Sequence, residues 1–185
     1  SYCQQVGLKN KLTLLVHLDR FSAVASMSED LPRIPIPGPE AETTEKMVFL
    51  QEQIVNFLRQ YSMPLLEVSL VFSKYTRQLT DALEVQARAQ GESLPSILSE
   101  PWPILGEQDG ETAQGPPLET LLGNLDDDRM DILDTILRSA MNATEIPLVD
   151  ALMQLRQWEH LARNQLASAK GAGQLFSPLE IPDDW

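Results

Sequence analysis

Residues 65–91 read LLEVSLVFSKYTRQLTDALEVQARAQG, and this stretch decides the fold class of the chain. Its apolar residues recur at alternating steps of three and four, which is the spacing of one face of an α-helix. The face comprises Leu65, Val68, Phe72, Tyr75, Leu79 and Ala82. Gly91 is a natural stop, because glycine adopts the left-handed conformation that commonly ends a helix. The pattern predicts a long helix with one face that has to be buried.

Three further stretches show the same periodicity. We expect Gly38 and Pro39 to start the first helix, Asp126 or Asp127 to cap the second, and Thr144 to cap the third. The apolar faces comprise Met47, Leu50, Ile54, Phe57, Leu58 and Tyr61; Met130, Leu133, Ile136, Leu137 and Met141; and Leu148, Leu152, Leu155, Trp158, Leu161, Ala162 and Leu166. Each face needs a partner helix, so the faces must pack on one another or on another protein.

The predicted fold is all-α: a helical bundle of four to five main helices with extended proline-rich arms. Residues 1–38 form an N-terminal segment that ends in a proline-rich linker. Residues 39–171 form the bundle, which an acidic, proline-containing loop interrupts at 92–117, and residues 172–185 form an extended C-terminal tail. The boundaries follow the prolines, each of which lacks a backbone donor and favours extended geometry in the residue before it.

Two shorter segments complete the organisation. In residues 8–28, Leu14 and Leu18 belong both to an alternating, strand-like pattern and to a helical face, and period alone does not decide between them. The length of the segment favours a helix, and the strand stays open. A short helix is expected at 118–125.

The charge of the chain is concentrated in its middle. The net charge is −13, and residues 94–150 contribute 12 acidic and 2 basic residues, a net of −10. Such a field repels polyanions, so nucleic acid is expected as a partner only within a larger complex. The single Cys3 excludes an internal disulfide, which suits a reducing compartment, and no apolar stretch is long enough to span a membrane. We expect a cytoplasmic protein that does not bind a membrane.

The sharpest catalytic motif is acidic. Asp127, Asp128 and Asp131 have the DDxxD form with which trans-prenyl diphosphate synthases and terpene cyclases hold magnesium. Those enzymes need a second acidic motif on a facing helix, and nothing in this sequence matches it. An acidic helix start, where aspartates stabilise free backbone N–H groups, is the alternative. A Mg²⁺-dependent enzyme that acts on a diphosphate is therefore a minor hypothesis, and we expect no enzyme, no cofactor and no small-molecule substrate.

A row of basic residues supports a second hypothesis. Arg156, Arg163 and Lys170 recur every seven residues along the last helix, and such a row can follow a phosphate backbone. By analogy of fold alone, the chain is then a small helical subunit of a nucleic-acid-guided complex such as a CRISPR effector. The alternative is an ordinary solvated face, on which Glu159 and His160 also lie.

The leading hypothesis comes from apolar residues in the extended segments. Trp102, Ile104, Phe176 and Trp185 lie among prolines, and exposed apolar segments often dock into a groove of another protein. The alternative is that each of them covers its own bundle. With strong helical faces and no catalytic motif, the sequence predicts a non-catalytic interaction subunit or adaptor whose partners are other protein subunits.

Overall fold

A computed structural model describes residues 35–104, 125–169, 171 and 173–178. Contacts divide the chain between Pro35 and Ile36, and the described helices all lie in the unit that starts at Ile36. The helices are α1 (Thr43–Gln60), α2 (Leu65–Ala89), α3 (Ser96–Ser99), α4 (Asp127–Thr144) and α5 (Leu148–Ser168). The predictions for residues 8–28 and 118–125, for Lys170 and for Trp185 lie outside the described residues.

The all-α helical bundle is confirmed. Four of the helices have 18 to 25 residues and form the bundle, and α3 is a single four-residue turn. Among the described residues there is no strand, although Pro64 and Leu175 form an isolated antiparallel bridge.

Helices that follow one another in sequence are not the closest neighbours. The most extensive packing joins α2 to α5 and α1 to α4. The start of α2 contacts the segment beyond the end of α5, where the Leu65 N–H donates to the Gln174 carbonyl at 2.8 Å, so these two helices are antiparallel. The Gln154 amide of α5 donates to the Met47 carbonyl of α1, and the Trp158 indole N–H donates to the Gln51 side chain. Both partners advance by four residues, so α5 runs parallel to α1. The two main packing interfaces therefore join segments that are distant in the chain.

Most residues of the predicted apolar faces form the core. The predictions of Leu148 and Leu166 as core residues are wrong, because both are exposed near the ends of α5. One further difference is a shift of register in α2. Residues that are fully buried include Leu50, Ile54, Val68, Phe72, Leu133, Leu137, Leu152 and Leu155. In α2 the prediction of Ala82 as a core residue is wrong, because Ala82 is exposed and Leu83 is buried in its place. A seven-residue repeat drifts by about 20° per repeat on a straight helix, so the buried face moves on by one residue near the end.

The helix ends agree with the sequence at two places and differ at two. The Asp126 carboxylate caps α4 by accepting from the Arg129 backbone N–H at 3.1 Å, and Gly91 has a φ of 73° after α2. The predicted start at Gly38 is wrong: its carbonyl accepts from Ala41 in a turn, and α1 begins at Thr43. Thr144 does not cap α5 either; it is the last residue of α4, and its hydroxyl donates back to the Ala140 carbonyl.

A buried carboxylate joins α2 to α4. The Glu67 side chain accepts from the Arg129 guanidinium at 2.9 and 3.1 Å and from the Asp126 backbone N–H at 2.9 Å. The hydrogen bonds that its guanidinium donates to Glu67 raise the pKa of Arg129 above its ordinary value. Farther along the same helices, burial and the nearby Asp134 carboxylate raise the pKa of the Tyr75 phenol, whose hydroxyl donates to the Asp134 carbonyl. These contacts run in the same order along both helices, so α2 and α4 are parallel.

Candidate functional site

The acidic motif lies on the surface of α4. Asp127, Asp128 and Asp131 are exposed, and Asp127 and Asp128 occupy the first turn, where carboxylates are favourable to the helix dipole. Within the described residues, no group of three His, Cys, Asp or Glu side chains lies close enough together to hold a metal ion. The arrangement matches that of an acidic helix start.

The basic row on α5 does not lie on one exposed face. Arg156 is only 4% exposed, and its guanidinium contacts the buried Glu159 carboxylate at 2.7 Å. The interpretation of Arg156 and Glu159 as part of a solvated face is therefore wrong. Arg163 is half-buried. Arg156, in contrast, is buried and therefore has no access to a phosphate backbone.

Arg156 instead holds residues 95–104, which we call the arm, against the bundle. Its guanidinium donates to the Leu98 carbonyl at 3.1 Å, to the Ser99 carbonyl at 3.4 Å and to the Thr80 hydroxyl at 3.1 Å. The Thr76 hydroxyl donates to the Glu159 carboxylate at 3.1 Å. A buried ion pair needs such extra hydrogen bonds to offset the loss of water. The arm thus lies over the seam between α2 and α5.

Two further bonds fix the end of the arm. The Arg163 guanidinium donates to the Trp102 carbonyl at 2.6 Å, and the Trp102 indole N–H donates back to the Ile97 carbonyl at 2.9 Å. The arm points Leu98 into the core, where it is 7% exposed, and leaves Ile97 52% exposed. The arm is therefore attached by its carbonyls and by Leu98, while other apolar side chains face outward.

These outward side chains line a groove. The groove has a volume of about 470 Å³ and is lined by Ser96, Ile97, Glu100, Pro101, Trp102, Pro103 and His160. The Trp102 and His160 rings lie 5.9 Å apart at an angle of 56°, so they form one corner of the groove. A concave, mainly apolar surface with a few polar groups is the usual form of a binding site.

His160 carries an unusual feature. Its Nε2 lies 3.0 Å from the Asn164 amide, while its Nδ1 is buried and has no hydrogen-bond partner within the described residues. Buried polar atoms are nearly always bonded, so an unpaired one is an exception. His160 therefore borders the groove with its ring, while its Nδ1 is turned away from solvent.

The predicted partner-binding residues fall into different environments. Trp102 lines the groove and is half-buried. Ile104, two residues later, is also half-buried but is not among the lining residues. Phe176 is 6% exposed and packs on Trp158 with 6.0 Å between the ring centres. For Phe176 the structure gives the self-docking alternative, because its ring completes the core of its own bundle.

Sequence reasoning missed the roles of Arg156 and His160, although one signal was present. Arg156 lies four residues after Leu152 and next to Leu155, on the side of α5 that faces the core. A charged residue on an apolar face indicates a buried ion pair more often than a surface contact, since a buried charge requires a partner. No comparable signal pointed to His160, because its neighbours in the groove come from the arm.

Compared with known proteins, the chain matches no family model, no curated protein and no solved structure. Among the described helices, none combines the length and the apolar character that crossing a membrane requires.

Proposed function

We propose that the chain is a non-catalytic interaction subunit of a larger protein assembly, and that the groove between the arm and α5 is the surface with which it binds another protein. The observation that carries the proposal is the way in which the arm is attached. Three carbonyls of the arm accept bonds from arginines of α5, so its backbone is fixed while Ile97 and Trp102 are left facing outward. We place this assembly in the cytoplasm, since the single Cys3 suits a reducing compartment.

Rigid attachment is what a binding surface requires. A segment that has to become ordered on binding lowers the affinity, whereas one that is held in place beforehand does not. Tryptophan is enriched at the centres of protein interfaces, where one ring contributes a large apolar contact. Trp102 is held by its indole N–H and by its carbonyl, and its ring still borders the groove.

The test compares two variants of the full-length chain. Ile97→Glu places a charge in the groove, and Val85→Glu places the same charge at another exposed aliphatic residue, on α2, that is 66% exposed. Affinity purification followed by mass spectrometry should recover a set of proteins with the wild-type chain and with Val85→Glu, but lose at least one of them with Ile97→Glu. Identical sets for all three chains, with unchanged circular dichroism, would overturn the proposal.

A further inference from the structure

We infer that the groove binds its partner protein through an arginine or lysine side chain, which pairs with Glu100 and packs on Trp102. This inference rests on the proposed function, because it names the chemistry of the segment that the same groove receives. The partner segment is thus a short stretch with one cationic residue between apolar residues.

Charge is the first argument. Among the described lining residues, Glu100 is the one with a permanent charge; it is exposed and forms no ion pair within the described part of the chain. An acidic segment would be repelled there, whereas a cation is attracted and oriented.

The apolar lining is the second argument. An arginine or lysine side chain has a long aliphatic stem, which can lie along Ile97 and the two prolines while the head stays near water. The face of a tryptophan ring attracts a cation, and Trp102 provides such a ring beside Glu100. The combination of one carboxylate, one indole and aliphatic walls fits a long cationic side chain better than a purely apolar one.

The size of the groove and the absence of a cation from its described lining agree with this occupant. The groove is open to solvent and wider than one side chain, so the residues on either side of the cation are also expected to contact its lining. Arg163, which is itself a cation, donates to the Trp102 carbonyl and is not among the lining residues. The groove therefore presents its negative group and its indole without a competing positive group in the lining.

Three matched peptides test the inference with the full-length chain. The probes are acetyl-Gly-Ser-Leu-Arg-Leu-Ser-Gly-amide and the same peptide with citrulline or glutamate in place of arginine. Citrulline keeps the shape of arginine but carries no charge. The Trp102 indole resonance, assigned with Trp102→Phe, is followed in an NMR titration. We expect the arginine peptide to bind about fivefold more tightly than the citrulline peptide, and the glutamate peptide to bind least.

Two variants show whether Glu100 is responsible. Glu100→Gln should abolish the preference, so that the arginine and citrulline peptides bind about equally. Glu92→Gln, at an exposed position outside the groove, should leave the preference unchanged. Added salt should reduce the preference in the wild-type chain, because a partly exposed charge pair is screened. Equal binding of the arginine and citrulline peptides, equal effects of the two variants, or no binding of the arginine peptide would each overturn the inference.

These outcomes are separable from the proposed function. If Ile97→Glu removes a partner but Glu100→Gln has no effect on the peptides, the chain is an interaction subunit whose groove does not select a cation. If Ile97→Glu retains every partner, the proposed function fails, whatever the peptides do.

Discussion

The arm and the tail segment, which we define as residues 173–178, both run beside α5 but present opposite surfaces. Each carries aromatic and aliphatic residues next to prolines. The tail segment turns its aromatic residue, Phe176, into the core, and its backbone forms a bridge with the connector between α1 and α2. The arm turns only Leu98 inward and keeps Trp102 at the edge of a groove.

The difference between the two segments lies in how α5 holds each backbone. Gln165 donates to the Ser177 carbonyl at 2.7 Å and accepts from the Ser177 N–H at 3.0 Å, which fixes the tail segment much as a neighbouring strand would. Arg156 and Arg163 instead donate to carbonyls of the arm. Apolar composition therefore does not decide which segment is available to a partner; the direction of its side chains does.

The largest expected effect is the loss of the residue that holds the arm. Arg156→Ala leaves the Glu159 carboxylate buried without its cation, and breaking a buried ion pair on one side costs about 4 kcal/mol. We expect the free energy of unfolding in urea to fall by this amount. The Leu98 carbonyl also loses its guanidinium donor, so hydrogen exchange of the arm should increase.

A double variant separates the ion pair from the attachment of the arm. Arg156→Met combined with Glu159→Leu removes both charges and should be more stable than Arg156→Ala alone, since no charge is left buried. If the single and double variants were equally unstable, the buried Glu159 charge would not be the cause, and the arm bonds would account for the loss.

For the tail segment the decisive side chain is Phe176. Phe176→Ala removes a buried ring that packs on Trp158, and we expect a loss of about 3 kcal/mol in the free energy of unfolding. Leu175→Ala is the control, because the neighbouring Leu175 is 51% exposed and its truncation should cost less than about 0.5 kcal/mol. Similar losses for both variants would mean that the tail segment is not anchored by its aromatic ring.

The helices were predictable from sequence because their information is local. The recurrence of Phe72, Leu133 and Leu152 with their apolar neighbours marks the buried faces, and these three residues are fully buried. Even the error at Ala82 has a local cause, the drift of a seven-residue repeat. The Asp126 cap follows from the preference of a carboxylate for free N–H groups at a helix start.

The groove was only partly predictable, because its geometry depends on contacts between distant residues. Trp102 was expected as a partner-binding residue, but His160 comes from a helix 58 positions later in the chain. Arg156 meets the carbonyl of Leu98, and a backbone carbonyl has no signature in sequence. Phe176 and Trp102 have similar sequence surroundings, so only the fold distinguishes the buried ring from the half-buried one.

A smaller effect is expected for the side chain that clamps the tail segment. Gln165→Ala removes two hydrogen bonds to Ser177, and we expect a loss of about 1–2 kcal/mol. Gln157→Ala, on the exposed side of the same helix, controls for helix propensity. Limited proteolysis should cut near residue 177 faster in Gln165→Ala than in the control; equal rates would show that the Gln165 bonds do not hold the segment.

The smallest effect on stability is expected at the residue with the largest expected effect on binding. Ile97→Glu should change the free energy of unfolding by less than about 0.5 kcal/mol, because this side chain is largely exposed. Leu98→Glu, one residue later, should cost several times more, since it places a charge at a buried position without a partner. Thermal unfolding of both variants measures the contrast. If Ile97→Glu were as unstable as Leu98→Glu, the outer side of the arm would be part of the core, and the distinction between the arm and the tail segment would disappear.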